Sequence, residues 1–421
     1  MKEALLHYIW QYRQYAALKL KTKCGQSIQV LKTGIHNTHA GPDFEYAHIC
    51  IGNTKWAGSV EVHLKSSDWN KHKHQNDAAY NNVILHVVWE DDTSIQNQLG
   101  EQIPTLELKN LVSEKLLSKY EFLMQHKAWI PCENFIGGIK QTHLHHFLDR
   151  LLVERLQEKS AVVKEVLVTN NNDWEETFYQ FFCRSLGIQI NAEPMFQLSQ
   201  LLPQKILAKH SSNLFQLEAL LFGVAGLLQN TSDEYTVNLS KEFGFLQHKY
   251  RLQVLKASQW KFLRLRPASF PTVRLAQLAH LIHQHNRMFS KVLEANSIKE
   301  LEQLFQVHTS DYWQTHYRFG VESKQRRKSI GKQLVHTIFI NTIAPFYILS
   351  AKAKNNEAYQ QKALEFLAHM QAEKNTVIRQ FDNLGVSADS AAQSQALLQL
   401  KKHYCDAKKC LQCVVGLQML A

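Results

Sequence analysis

The sequence lacks the marks of several large protein classes. No apolar run approaches the roughly 20 uncharged residues that cross a bilayer, so no membrane span is expected. There is no repeat of fixed period and no low-complexity tract. Charged residues make up only 20% against 45% hydrophobic, which excludes disordered, collagen-like and coiled-coil proteins. The seven cysteines are an odd number without the spacing of a small secreted scaffold, so a reducing, cytoplasmic setting is expected. Residues 1–14 read as an amphipathic helix and not as a signal peptide, because Glu3, His7 and Arg13 interrupt any apolar stretch. Acids are the scarcer charge, 37 against 48 bases, for a net +11. That excess suits a polyanionic partner without proving one. At 421 residues the chain has room for two to three domains and a core that needs no disulfide staples.

Histidine, by contrast, is plentiful. There are 22, and His36, His39, His48, His63, His72, His74 and His86 crowd one short stretch. Imidazole is the commonest metal ligand and the usual acid or base near neutrality, so the stretch is either a polar surface or a site.

The first part of the chain reads as α/β. A helix over 2–18 precedes short β-type runs at 27–31, 46–51, 55–65, 83–89 and 105–108. Gly52-Asn53 marks a tight hairpin turn. The run at 83–89 is almost wholly apolar, as for a strand covered on both faces. From about residue 111 apolar positions recur with helical period. Asp173 follows a polar turn and is placed to cap a helix. Residues 338–349 are apolar all round, broken by Pro345, and read as a buried central helix. The expectation is an α/β N-terminal domain over 1–110 and a larger all-helical domain over 111–421.

The most informative chemistry lies in the first part. Gly41-Pro42-Asp43-Phe44 is followed, 18 positions after the aspartate, by Glu61-Val62-His63-Leu64-Lys65. Side chains alternate along a strand, so Glu61, His63 and Lys65 share one face. A hairpin between them would bring Asp43 and Glu61 together. Two carboxylates suit Mg²⁺ or Mn²⁺, which polarises a phosphoryl oxygen and activates water. His63 or Lys65 would orient that water or stabilise developing charge. The neighbouring segment holds Asp68, His72, His74 and Asp77. The two histidines diverge on a helix but share a face on an extended chain, and Asp77 is placed to orient one of them. Asp68 reads equally as a helix cap. His86 is either a buried, hydrogen-bonded histidine or a group pointing back to the site.

This arrangement resembles the PD-(D/E)XK nuclease superfamily, with Pro42-Asp43 at the PD, Glu61 at the acid and His63 where lysine usually stands. The resemblance spans roughly residues 1–95 and implies a mixed sheet, a Mg²⁺- or Mn²⁺-dependent nuclease activity, and an added acid from the first helix, at Glu3. It also leaves open a fold that binds nucleic acid without cutting it. A third class is a histidine–metal hydrolase that uses His63, His72 and His74 on a small substrate. The wider combination, with Ser-Asp-Trp, His-x-His-x-x-Asp-x-x-Tyr and Val-Ile-Leu-His-Val-Val, resembles a bacterial family described as domain of unknown function 2851. That family supplies no activity.

Two further patterns lie outside this region. Cys405, Cys410 and Cys413 form C-x4-C-x2-C, and Cys132 stands alone upstream. Together they suit Zn²⁺ or an iron–sulfur cluster, with His403 as a competing fourth ligand; packing as small apolar groups is the bland alternative. Arg264, Arg266 and Arg274, flanking two prolines, and Arg326-Arg327-Lys328 are the basic runs that would contact a nucleic-acid backbone, or else fix helix packing and solvated helix starts.

Overall fold

The computed structural model describes residues 2–229, 233–285, 287–307 and 309–421. It divides into two compact units. The first comprises Met1–Phe147, Asn383–Val386 and Leu400–Ala421, and the second Leu148–Asp382 and Ser387–Gln399. The boundary drawn near residue 110 therefore falls inside the first unit, which also takes in the three C-terminal cysteines.

The first unit is built on a six-stranded mixed sheet. Helix α1 (Glu3–Gln11) is followed by β1 (Ile28–Lys32), β2 (Ile35–His36), β3 (Phe44–Ile51), β4 (Thr54–Lys65), α2 (Asp68–Lys71), β5 (Val83–Glu90), β6 (Thr105–Glu107), α3 (Glu114–Gln125) and α4 (Glu133–Ile136). The order is β1-β3-β4-β5-β6, with the short and unexpected β2 also paired to β3. The pairs among β1, β3 and β4 are antiparallel, and β4, β5 and β6 run parallel. Ile51 pairs with Thr54, so β3 and β4 are joined by Gly52-Asn53 alone. Gly52 has φ +59°, the positive value that a two-residue turn of this hand requires at its first position. β5 is buried over residues 83–88, as its unbroken apolar run dictates.

Two features aim side chains at one place. Between Phe44↔Val60 and Ala47↔Gly58 the β3–β4 register slips, with Tyr46 at φ +59°. This bulge turns the Pro42-Asp43 end of the strand. On the sheet, α1 packs against β4 and β5 and buries Leu5, Leu6, Tyr8, Ile9 and Trp10. Glu3 and His7, one helical turn apart, lie on another stripe of the same helix.

The second unit is mostly helical. Asp173 caps Trp174–Leu186, its Oδ1 accepting the Glu176 N–H at 3.0 Å. The all-helical expectation needs one correction: His316–Arg318 and Val321–Glu322 form an antiparallel hairpin. It turns at Gly320, which has φ +67°. The helix Lys332–Lys354 is long and apolar enough to cross a membrane by length and composition, but 83% of its most apolar stretch is buried inside the protein. It contains a π-turn at Phe339–Ile343, just before Pro345. Proline has no N–H to give to the carbonyl one such turn back. That carbonyl, Ile340 O, accepts from Lys159 Nζ at 3.2 Å instead.

Candidate functional site

The hairpin brings Asp43 and Glu61 together. Phe44 pairs with Val60, which sets the two acids side by side at the next step along the strands. Each carboxylate accepts a backbone N–H from beside the other. Glu61 Oε2 accepts from Asp43 at 3.0 Å, and Asp43 Oδ2 accepts from Val62 at 3.1 Å. Both side chains are thereby held in one orientation, with Glu61 Oε1 turned toward imidazoles.

Glu61 and His63 share a face, as strand alternation requires. Glu61 Oε1 lies 3.5 Å from His63 Nε2 and 3.4 Å from His74 Nε2. His63 Nε2 is 3.1 Å from His72 Nδ1, and His63 Nδ1 is 2.9 Å from His86 Nε2. One ring nitrogen from each of His63, His72 and His74 lies within 4.8 Å of the other two. His63, His74, His86 and Glu61 are buried, while His72 faces solvent.

The convergence of His72 and His74 has a local cause. α2 ends at Lys71, His72 caps it, and Lys73 takes φ +65° before a 3₁₀ turn begins at His74. The left-handed residue reverses the chain, so positions i and i+2 point to one place without an extended backbone. Trp69 lies edge-on to His74 and His86 at 5.3 and 5.5 Å, and Tyr80 stacks on His74 at 3.8 Å. Ser66 Oγ donates to Asp91 at 2.5 Å and Ser67 N–H to Asp92 at 2.8 Å, which ties the entry of α2 to the end of β5.

Sequence reasoning missed His7. Its Nε2 lies 3.2 Å from Asp43 Oδ2. Burial pushes the His7 pKa down, but the charges of Asp43, Glu3 and Glu61 outweigh this and raise it. The available signal was its i, i+4 spacing from Glu3. Glu3 itself is raised by burial, with His7 opposing. Burial also raises Glu61, against a hydrogen bond from His74. His63 is pushed down to about 4 by burial and then by the neighbouring His72 and His74. Burial holds His86 well below its usual value. His63 and His86 are thus held toward the neutral form, the one that ligates metals.

The other expected residues lie elsewhere or act differently. Lys65 is exposed at the end of β4, with its N–H given to Asp68 at 3.0 Å. Asp68 also accepts from Lys71 Nζ at 2.6 Å. Asp77 does not orient a histidine. It caps the turn Ala78–Tyr80 by accepting the Ala79 N–H at 2.9 Å, since an Asp entering a helical turn satisfies an orphan donor there.

In the second unit, Arg264, Arg266, Arg326 and Arg327 are exposed. Arg274 and Lys328 are turned inward, contrary to a backbone-contacting role. Arg274 donates to Gln277 at 2.8 Å, and Lys328 Nζ donates to the Trp313 and His316 carbonyls. Cys132, Cys405, Cys410 and Cys413 are outside any disulfide and buried within the first unit.

Fold and site define an α/β unit with a largely buried histidine–carboxylate centre, and a mostly helical unit. The chain belongs to the family described as "Protein of unknown function (DUF2851)", whose model matches residues 3–376. The matched stretch contains the whole histidine–carboxylate centre and Cys132, and stops short of the C-terminal cysteines. No curated protein and no solved structure matches the chain.

Proposed function

We propose that the first unit is a metal-dependent hydrolase that cuts phosphodiester bonds in DNA or RNA. The observation that carries the reading is the approach of His63, His72 and His74 nitrogens to within 4.8 Å, with Glu61 Oε1 3.4 to 3.5 Å from two of them. Buried imidazoles that face one another gain most from a shared cation, which satisfies several lone pairs at once. A nitrogen-rich set with one carboxylate favours Zn²⁺, Fe²⁺ or Mn²⁺ over Mg²⁺. His63, neutral at pH 7, does not stand in for a charged lysine. It acts as a ligand through Nε2, with Nδ1–H directed to His86 Nε2 to fix the ring.

The bound cation would polarise a phosphoryl oxygen and acidify a water. The chain's own residues do the rest. Asp43, locked against Val62, lies 3.2 Å from His7 Nε2, and Glu3 adds to the field that raises the His7 pKa. That pair is placed to move a proton to or from the reacting oxygens. The nucleic-acid substrate is supported by the net charge of +11 and by the order of helix, Pro-Asp turn, hairpin, Glu-x-His strand and parallel strand, which resembles PD-(D/E)XK nucleases. A second reading, a small phosphoester or other small substrate, is favoured by the inward turn of Arg274 and Lys328, which removes two cations from the expected binding surface.

The test is hydrolysis by protein stripped with chelator and reloaded with Mn²⁺, Zn²⁺, Fe²⁺ or Mg²⁺. Substrates are single- and double-stranded DNA, RNA and bis-(p-nitrophenyl) phosphate. Activity is expected with the first three metals and its loss in Glu61→Gln and His63→Ala. Equal turnover by those variants would reject the proposal, and turnover of the small ester alone would favour the second reading.

A further inference from the structure

We propose that Cys132, Cys405, Cys410 and Cys413 hold a thiolate-bound metal centre, zinc or an iron–sulfur cluster, that clamps the C-terminal segment onto the helices of the first unit. The proposal is independent of the hydrolase reading, because it uses none of the same residues.

Cys132 and the three C-terminal cysteines are far apart in sequence yet lie in one unit, each 6 to 8% exposed, on elements that pack on one another. They lie near enough to influence one another electrostatically. Cys405 is influenced by Cys413, Cys132 and Cys410, Cys132 by Cys413 and Cys410, and Cys410 by Cys413. Cys183, buried in the second unit, has no such company: the groups that act on it are Tyr179 and Glu176. Burial in apolar surroundings disfavours a thiolate that has no cation beside it. A soft cation reverses that balance by taking all four as ligands.

The backbone around them is folded for convergence. A π-turn covers Leu400–Cys405, Lys408 is left-handed at φ +50°, and a 3₁₀ turn spans Cys410–Gln412 before the last helix, Val414–Leu420. Lys408 N–H bonds to Cys405 O at 3.1 Å and Cys413 N–H to Cys410 O at 3.3 Å. Cys132 sits at the start of α4. Gly416 leaves no room for a side chain, because a Cβ there would stand 2.1 Å from Cys410 O. The last helix is thus drawn tight against the cysteine turn.

What the clamp would hold is specific. The last helix packs on α3 and α4, and the Cys410–Gln412 turn packs on α1. α1 is the helix that carries Glu3 and His7. The cysteine centre therefore buttresses the element that delivers two groups to the histidine–carboxylate site.

The experiment uses the full chain purified without oxygen, in wild type and in a His63→Ala/His74→Ala background that disables the other candidate metal site. Metal analysis, acid-labile sulfide and the visible spectrum are read together. About one zinc per chain without visible absorption identifies zinc. Iron with equivalent sulfide and a visible band identifies a cluster. Either is expected to persist in the His63→Ala/His74→Ala background, to be retained in Cys24→Ser and Cys50→Ser, and to be lost in Cys410→Ser/Cys413→Ser. Because the latter variant risks misfolding, a second readout follows wild-type protein as an organomercurial titrates its thiols. Metal release in step with those thiols, together with faster amide exchange over Glu3–Gln11, supports the clamp. A chain with no metal in the His63→Ala/His74→Ala background, metal unmoved by thiol titration, or these thiols found in disulfides overturns it.

Discussion

Both units bury ionisable groups, but they neutralise them by opposite means. In the helical unit Glu218, Lys328 and Arg274 face neutral partners. Glu218, 1% exposed, accepts from the Tyr235 hydroxyl and from Ser310 Oγ at 2.8 Å. Lys328 faces two carbonyls, and Arg274 faces Gln277 and Ser269. In the α/β unit the buried groups face each other: imidazole against imidazole, imidazole against carboxylate. A charge ringed by neutral dipoles is a finished piece of structure. A ring of nitrogens with a carboxylate oxygen beside it is a group that could hold a metal ion. The difference separates finished architecture from a candidate site within one chain, where a count of buried charges would treat them alike.

The comparison can be broken first at the histidines. His86→Leu keeps the apolar volume of β5 while removing the hydrogen bond that orients His63. It is expected to weaken metal affinity by about 10- to 100-fold with the fold intact, as for other residues that orient a ligand. Calorimetric metal titration and circular dichroism check this. Unchanged affinity would place His86 with the structural charges of the helical unit.

Next is Glu218. Burial raises its pKa to about 7 in the fold. The folded state thus holds the proton more tightly than the unfolded chain. The stabilisation is complete below the unfolded value near 4.5 and declines as pH rises toward 7, by up to about 3 kcal/mol. Subtracting the urea-unfolding stability of Glu218→Gln from that of wild type across this window should show the decline. A flat difference would mean the carboxyl is already ionised in the fold.

Lys328→Met strips the donor from two carbonyls and is expected to cost about 1.5–3 kcal/mol. Nucleic-acid affinity should not change, because the ammonium is buried. A fall in affinity at constant stability would return Lys328 to the surface role its neighbours suggest. The smallest effect is expected at Lys73, whose left-handed backbone glycine adopts freely. Lys73→Gly should alter stability by no more than about 1 kcal/mol and leave metal affinity intact.

Much of the first unit was legible in the sequence, because short-range chemistry specifies it. Gly52-Asn53 set the hairpin, and period-two alternation put Glu61 and His63 on one face. The Pro-Asp turn then fixed which acids meet. Contacts that depend on burial and chain reversal were not legible. Lys73 gives no sign of a left-handed turn, so the meeting of His72 and His74 was only one of two outcomes. His7 belongs to a helix whose registry against the sheet is a tertiary matter. Asp77 is one short step from two possible partners and takes the backbone. A run of basic letters says nothing about which ammonium turns inward, and in the runs around Arg274 and Lys328 two did. The hairpin at His316–Glu322 is too short for its alternation to stand out among helices.

The most direct measurement is a crystal of the full chain soaked in Zn²⁺ or Mn²⁺ with data collected at the metal's absorption edge. An anomalous peak is expected among His63, His72, His74 and Glu61, with metal–nitrogen bonds of about 2.0–2.3 Å, and its absence is expected in His63→Ala. Imidazoles still hydrogen-bonded to one another, with no peak at saturating metal, would contradict the assignment of this pocket as a metal centre.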